Sequence, residues 1–355
     1  MNRVEKLRGE LSRRGLDGIF VTDELNQHYL SGFAFTDGML FITLHEAYLI
    51  TDFRYFEMAQ SKAYSDYRIV MPENRTAAIK GYIKENDAKR IGFEGNSVSF
   101  KSYSSLLEKY SECEFVDVEN MIEELRQIKD EGEIALMQKA QDITDSAFSQ
   151  LVKSIRTDMT EIDVAAELEY YMRKAGASGL AFDTIAVSGD ASALPHGTPR
   201  NVKLKRGFLT MDFGAKFDGY CSDMTRTVVI GQADEEIKNL YNTVLSAQSA
   251  ALEMIKAGVA AKDCDKTARD IIDSFEKYRG SFGHSLGHGV GLFIHESPRL
   301  SRAADSILRV GEIVTVEPGI YLYGKYGCRI EDMVAVKEDG IYNFTHSTKE
   351  LIEIY

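Results

Sequence analysis

The sequence predicts a two-domain protein, a small α/β domain followed by a larger α+β domain with an internal repeat. Three observations predict it. Short apolar strands alternate with helical stretches over the first ~120 residues. A helix-periodic segment follows over residues 123–154, and beyond it two strand–turn–strand units resemble each other. At 355 residues with 44% hydrophobic content, the chain is long enough for two cores.

Each element follows from local pattern. The opening stretch MNRVEKLRGELSRRGL is charged and amphipathic, as a helix is and a signal peptide is not. GIFVTD (18–23), MLFITL (39–44), AYLITD (47–52), RIGFEG (90–95) and CEFVDVE (113–119) read as strands. One helix is expected from about Tyr55 and another between RIGFEG and CEFVDVE. From Glu123 to Ser154, the apolar residues Ile134, Met137, Ile143 and Phe148 fall near helical spacing and predict a single long helix that opens the second domain. The boundary is placed near Gln127 to Glu131, giving domains 1–126 and 127–355. The segment GFAFTDGM (32–39) is expected to be an exposed loop, able to reach a second copy of the chain.

Charge and cysteine usage narrow the function. With 42 Lys and Arg against 55 Asp and Glu, the net charge is -13. That balance repels phosphate backbones and anionic lipid, so nucleic acid and membrane are not expected partners. Cys113, Cys221, Cys264 and Cys328 show no paired spacing, which fits a reducing cytoplasm. No apolar run approaches the roughly 20 residues of a spanning helix.

The repeat carries the chemistry. LTMDFG (209–214) matches VTVEPG (314–319), and CSDMTRTVV (221–229) corresponds to CRIEDMVAV (328–336). KFDG (216–219) and YGKYG (323–327) supply turn residues between the arms. Folding each hairpin at its centre brings Asp212 near Asp223 and Glu317 near Glu331. Like charges at cross-strand distance repel, and burying them unpaired costs several kcal/mol each. Two such pairs ask for a common counter-charge, and divalent cations supply it. His284, His288 and His295 in GSFGHSLGHGVGLFIHESPRL (280–300) offer imidazole, which suits manganese, cobalt, iron or zinc. His28, His45 and His346 stand apart from this group and read as surface or core residues.

These residues carry a resemblance. The order Asp212, Asp223, His288, Glu317, Glu331, inside DFGAKFDGYCSDMTRT, GHGVGLFIHESP, TVEPGIY and GCRIEDM, resembles the pita-bread (creatinase/aminopeptidase-like) metallopeptidases, and within them the proline-specific branch of prolidase and aminopeptidase P. The resemblance covers roughly residues 130–355 and implies a catalytic domain with a pseudo-twofold repeat. It implies two divalent metal ions per chain, Mn2+ first, with Co2+ or Zn2+ as alternatives. Asp212 would bind one ion terminally, His288 and Glu317 the other, and Asp223 and Glu331 would bridge. His196 in LPHGTP, His284 and His295 would line the cleft, and Arg329 would brace the ligands. Glu317 would move a proton to the leaving nitrogen, with His295 or His196 donating to the developing charge. Phe182 and Ile294 match segments that wall an apolar slot for proline. Arg299 in HESPR matches an arginine that grips the substrate carboxylate in some prolidases.

The resemblance thus implies hydrolysis of the bond before proline in short proline-containing peptides, by an Xaa-Pro dipeptidase, with Xaa-Pro aminopeptidase as the alternative. A homodimer is the common assembly of that branch. Methionine aminopeptidase shares the five ligands but usually lacks a separate N-terminal domain of this size, and creatinase shares both domains but has lost the ligands. A non-catalytic peptide-binding module on the same fold is the alternative from another class, and metal content discriminates it.

Overall fold

A six-stranded sheet organises the first unit of the chain, Met1–Arg126, in the computed structural model, which describes residues 2–355. Its elements in order are α1 (Arg3–Arg14), β1 (Gly18–Val21), α2 (Glu24–Ser31), β2 (Met39–Thr43), β3 (Ala47–Ile50) and α3 (Phe53–Lys62). Then come β4 (Arg68–Val70), α4 (Arg75–Glu85), β5 (Arg90–Phe93), α5 (Phe100–Lys109), β6 (Glu114–Asp117) and α6 (Met121–Gln127). The strand order is β4-β3-β2-β1-β5-β6, with β1, β5 and β6 parallel and the β1–β2 and β2–β3 pairs antiparallel. Every residue of β1 is buried, which is why GIFV reads as an unbroken apolar run.

Two expectations for this unit need correction. The sequence reading places nothing at α2, β4 or α4. The α2 stretch ELNQHYLS has no apolar period, and Asp23 sets its start by accepting from the amides of Leu25 and Asn26. The 32–39 segment is not simply exposed. Phe33 and Phe35 are buried and stack at 5.6 Å, because aromatic area is worth more inside than in water.

The second unit, Gln127–Tyr355, is built from two repeats of a helix pair followed by strands. The first comprises α7 (Glu131–Ser154), α8 (Glu161–Lys174), β7 (Gly179–Leu180), β8 (Ile185–Ser188), β9 (Gly207–Phe213), β10 (Ala215–Phe217), β11 (Tyr220–Cys221) and β12 (Met224–Ile230). The second comprises α9 (Glu235–Met254), α10 (Ala261–Ser274), β13 (Gly287–Gly289), β14 (Glu296–Leu300), β15 (Ile313–Val316), β16 (Gly319–Leu322), β17 (Tyr326–Arg329) and β18 (Asp332–Lys337). β19 (Gly340–Asn343) and β20 (Glu353–Ile354) complete the chain. The two larger sheets have the orders β20-β12-β9-β8 and β14-β13-β15-β18-β19.

The single helix expected over residues 123–154 is two helices. Asp130 closes a capping box with Glu133 at the start of α7, and the Lys129 amide is diverted to the Gly311 carbonyl. A reciprocal cap satisfies donors that a continuous helix would have used internally, so the chain turns there. No helix among the described residues is long and apolar enough to cross a membrane.

Strand alternation then aims the acids. Leu209, Met211 and Phe213 of β9 pack in one core with α7 and α8 residues such as Phe148 and Leu168. Period two turns Thr210 and Asp212 to the opposite face. In the second repeat Val314 and Val316 join a core with α9 and α10, which turns Thr315 and Glu317 the other way.

A candidate metal centre at the pseudo-twofold axis

The hairpin registers decide which acids meet. β15 pairs Val316 with Asp332 and β16 pairs Gly319 with Arg329, so Glu317 falls opposite Glu331 in the gap between the two ladders. The first hairpin turns one residue later than its centre suggests. Asp218 and Gly219 both have positive φ, 47° and 86°, and are the two central residues of the turn. The register therefore pairs Asp212 with Thr225, leaving Asp223 diagonal to Asp212 and not facing it.

One cavity of about 290 Å³ brings the candidates together. Its lining includes Asp212, Asp223, His288, Glu317 and Glu331, and also His196, His284, His295, Arg329, Phe182, Ile294 and Arg299. Asp223, His288 and Glu331 can each direct one ligand atom so that all lie within 4.8 Å. His288 Nε2 is 3.5 Å from Asp223 Oδ2 and 3.5 Å from Glu317 Oε1. The contact of His288 Nδ1 with the Gly289 carbonyl, 3.1 Å, assigns the proton to Nδ1 and leaves Nε2 as a donor to a metal.

The surrounding groups hold these donors in place. Thr225 Oγ1 donates to Glu331 Oε2 at 2.7 Å, and Thr315 Oγ1 lies 3.3 Å from Glu317 Oε1. Arg329 is buried, and four hydrogen bonds engage its guanidinium. Its Nη2 meets Asp212 Oδ2 at 2.6 Å, its Nε donates to Thr225 Oγ1, and its Nη1 donates to the Tyr321 hydroxyl at 2.7 Å and to the Pro195 carbonyl. His284 contacts the Ser285 carbonyl through Nδ1 and the Tyr321 hydroxyl through Nε2, both at 2.9 Å. Tyr321 thus links His284 to Arg329. Arg299 is different: it is exposed on the cleft wall and makes no hydrogen bond or ion pair among the described residues. It faces His288 across the β13–β14 ladder.

Titration follows from burial and crowding. Burial, then the charges of Glu331, Asp212 and Glu317, raises the Asp223 carboxyl well above its ordinary range. Burial, then Glu317 and Asp212, does the same to Glu331. Glu317 is pushed up to about 8 by burial, with Arg329 opposing and Asp212 adding. Burial first, and neighbouring cationic groups next, push His284 down to about 4. Burial holds His288 at about 3, so its contacts with Asp223 and Glu317 are not ion pairs. Burial, then Arg299 and His196, lowers His295.

Comparisons with known proteins agree with this arrangement. Residues 135–338 match Metallopeptidase family M24, and residues 3–128 match the Creatinase/Prolidase N-terminal domain. The chain belongs to the M24 metallopeptidases. It is similar to an Xaa-Pro dipeptidase from Bacillus anthracis, with a TM-score of 0.95 at 41% identity over 99% of both chains. An X-Pro aminopeptidase from Thermotoga maritima MSB8 superimposes with a TM-score of 0.91 at 38% identity over 100% of both chains. An Xaa-Pro dipeptidase of Pyrococcus furiosus is 37% identical over 352 residues, 99% of each protein. The M24 chain accordingly pairs a creatinase-like N-terminal domain with a pita-bread catalytic domain, and the family is one of divalent-metal enzymes.

The residues fit such ions. Asp212 Oδ1 is buried without a hydrogen-bond partner, and the other three carboxylates are held in a repulsive cluster that a cation would neutralise. Sequence reasoning missed Thr225 and Thr315, which hydrogen-bond the candidate ligands Glu331 and Glu317, and Tyr321, which joins His284 to Arg329. A threonine in a strand carries no signal by itself. Tyr321 acquires its role only through contacts with residues 8 and 37 positions away.

Proposed function

We propose that this M24 metallopeptidase hydrolyses the bond before proline in dipeptides, as an Xaa-Pro dipeptidase. The observation that carries the reading is Arg299, an uncommitted guanidinium on the wall of the cavity that holds the metal donors. A dipeptide ends in a carboxylate one residue beyond the scissile bond, and a guanidinium fork is the natural partner for it. Similarity to Xaa-Pro dipeptidases points the same way.

Asp212 would hold one ion, His288 and Glu317 the other, with Asp223 and Glu331 shared. Mixed oxygen and imidazole donors suit Mn2+, and also Co2+ or Zn2+. When bound, the pair of ions supplies Lewis acidity towards water and the scissile carbonyl. The protein's groups do the rest. Glu317 would take a proton from the attacking water and pass it to the prolyl nitrogen as the C–N bond breaks. His295 and His196, both exposed at the cleft, are placed to donate to the carbonyl oxygen as charge develops there. Phe182 and Ile294 offer apolar surface that a chain lacking the N–H of an ordinary peptide bond can occupy. Four cysteines, three of them buried and none in a disulfide among the described residues, suit a reducing cytoplasm, and a homodimer belongs to the same proposal through the family resemblance.

Xaa-Pro aminopeptidase is the second reading. The exposure of Arg299, which leaves the cleft accessible beyond it, and the similarity to the Thermotoga maritima enzyme favour it. Arg299→Ala separates the two. Because Arg299 is water-accessible, its loss is expected to lower kcat/KM for Ala-Pro about tenfold, less than for a buried pair, with a much smaller effect on Ala-Pro-Ala. Equal losses on both substrates, or none, would move the assignment to the aminopeptidase.

A further inference from the structure

Residues 281–286, which carry His284 into the cavity, form neither helix nor strand. Phe282 and Leu286 are nonetheless buried, so backbone groups around them need partners from other elements. Two buried side chains of α10 supply them. Arg269 donates from Nη1 to the Phe282 carbonyl at 2.5 Å and from Nη2 to the His284 carbonyl at 2.8 Å, and the Leu286 amide donates to Asp265 Oδ1 at 3.0 Å. The two carbonyls are two residues apart, the spacing at which a neighbouring strand would bond them, and here one guanidinium does so. Asp265, one helical turn before Arg269, orients that fork by accepting from Nε at 2.9 Å and from Nη2 at 2.8 Å. A buried pair of this kind adds little net stability over an apolar replacement, because desolvating two charges offsets their attraction. Its remaining donors and acceptors all go to the backbone of one segment.

That segment sits against the catalytic donors. The Tyr321 amide donates to the Ser281 carbonyl and the Glu317 amide to the Leu286 carbonyl. The Arg269 guanidinium also covers the Phe282 ring, 4.2 Å from its centroid, and this ring meets the His284 imidazole at 5.0 Å, edge to face. His284 Nε2 in turn lies 2.9 Å from the Tyr321 hydroxyl, which Arg329 engages as well. The first repeat has a counterpart. Buried Glu161, at the start of α8, accepts from the Ser188 and Arg200 amides and pairs with the Arg200 guanidinium at 2.7 Å, closing the segment that carries His196. In each repeat the second helix thus supplies the buried acid of an ion pair that holds a cleft histidine's segment.

We propose that Arg269 is a positioning residue for the peptidase reaction: its guanidinium, oriented by Asp265, takes the place of a neighbouring strand for residues 282–286 and seats the His284 imidazole against Tyr321. This rests on the Xaa-Pro dipeptidase reading above.

Arg269→Lys tests it, since lysine keeps the charge and loses the fork. With Mn2+-loaded enzyme and Ala-Pro, kcat is expected to fall about fivefold to tenfold with KM within about twofold, as for a group that acts in the transition state and not on substrate affinity. In the Tyr321→Phe background the same replacement lowers kcat by less than about twofold, because the contact through which it acts is already gone. Crystal structures of the metal-free wild type and variant show the His284 Nε2 to Tyr321 hydroxyl distance rising above about 3.5 Å in the variant. Asp265→Asn, which keeps the shape and removes the charged partner of Arg269, reproduces the kinetic pattern more weakly. Fully multiplicative losses in the double variant, a change in KM alone, an unchanged kcat or an unchanged His284–Tyr321 distance overturn the proposal. Failure of both variants to fold also overturns it, since the pair is then structural. A wild type that does not hydrolyse Ala-Pro overturns the dipeptidase reading instead, and the His284–Tyr321 distance still decides what seats His284.

Discussion

Replacing Glu317 is expected to stabilise this protein when metal is removed. Burial, with the negative charge of Asp212 adding, moves the Glu317 carboxyl from 4.5 up to about 8 in the folded chain. The folded state therefore holds this proton more tightly than the unfolded state, and stability falls as pH rises through that interval. At ~1.4 kcal/mol per pH unit the full shift corresponds to roughly 5 kcal/mol. The Glu317 side chain keeps 15% exposure, and solvent screening reduces the effect to on the order of 2 to 4 kcal/mol. Glu317→Gln removes the charge at nearly constant shape. The metal-free variant should exceed metal-free wild type by that amount at pH 8.5, and by about 1 kcal/mol less at pH 7, where wild-type Glu317 is largely protonated. The window matters, because His284 and His288 have lowered proton affinities and act with the opposite sign below about pH 6.5. The assay is urea unfolding followed by circular dichroism after chelation. The relevant transition is the one that shifts upward when Mn2+ is added to wild type. A variant no more stable than wild type at pH 8.5, or a gain independent of pH, would refute the reasoning.

Glu331→Ala should lose activity by orders of magnitude and also bind less metal by elemental analysis, because a carboxylate assigned to both ions leaves them facing each other with less compensation. Near-normal turnover would remove Glu331 from the centre. Tyr321→Phe should lower kcat about tenfold with metal content unchanged, because it deletes the hydroxyl that joins His284 to Arg329 and is not itself a ligand. An unchanged kcat would make that bridge irrelevant to turnover.

The four candidate acidic donors were legible because each lies at or beside the end of a strand whose other residues pack a core. In LTMDFG and VTVEPG the apolar positions at period two leave one direction for the acid, so the residue pattern alone aims it. Register was harder. Whether KFDG turns at its middle or at Asp218–Gly219 depends on which residues adopt positive φ, and both positions have turn-forming residues nearby. The helix break at Asp130 was hidden by periodicity that continues across it; the cap shows only once Glu133 is seen reaching back. α2 was illegible for the opposite reason, since its buried residues Asn26, Gln27 and Ser31 are polar and satisfied by hydrogen bonds such as those of Asn26 to Glu94 and Gln27 to the Val21 carbonyl. Arg299 and Arg329 look alike in sequence. Only the structure separates the hydrogen-bonded, buried guanidinium from the uncommitted one on the wall.

The most direct test of the account is hydrolysis of Ala-Pro and Ala-Pro-Ala side by side, on chelated enzyme and on the same enzyme reloaded with Mn2+. A metal-dependent Xaa-Pro dipeptidase gives no turnover after chelation, recovery with Mn2+, and kcat/KM for Ala-Pro at least tenfold above that for Ala-Pro-Ala, because the free carboxylate meets Arg299 only in the dipeptide. Hydrolysis that persists with metal confirmed absent would contradict the metal centre, and a preference for Ala-Pro-Ala would contradict the dipeptidase.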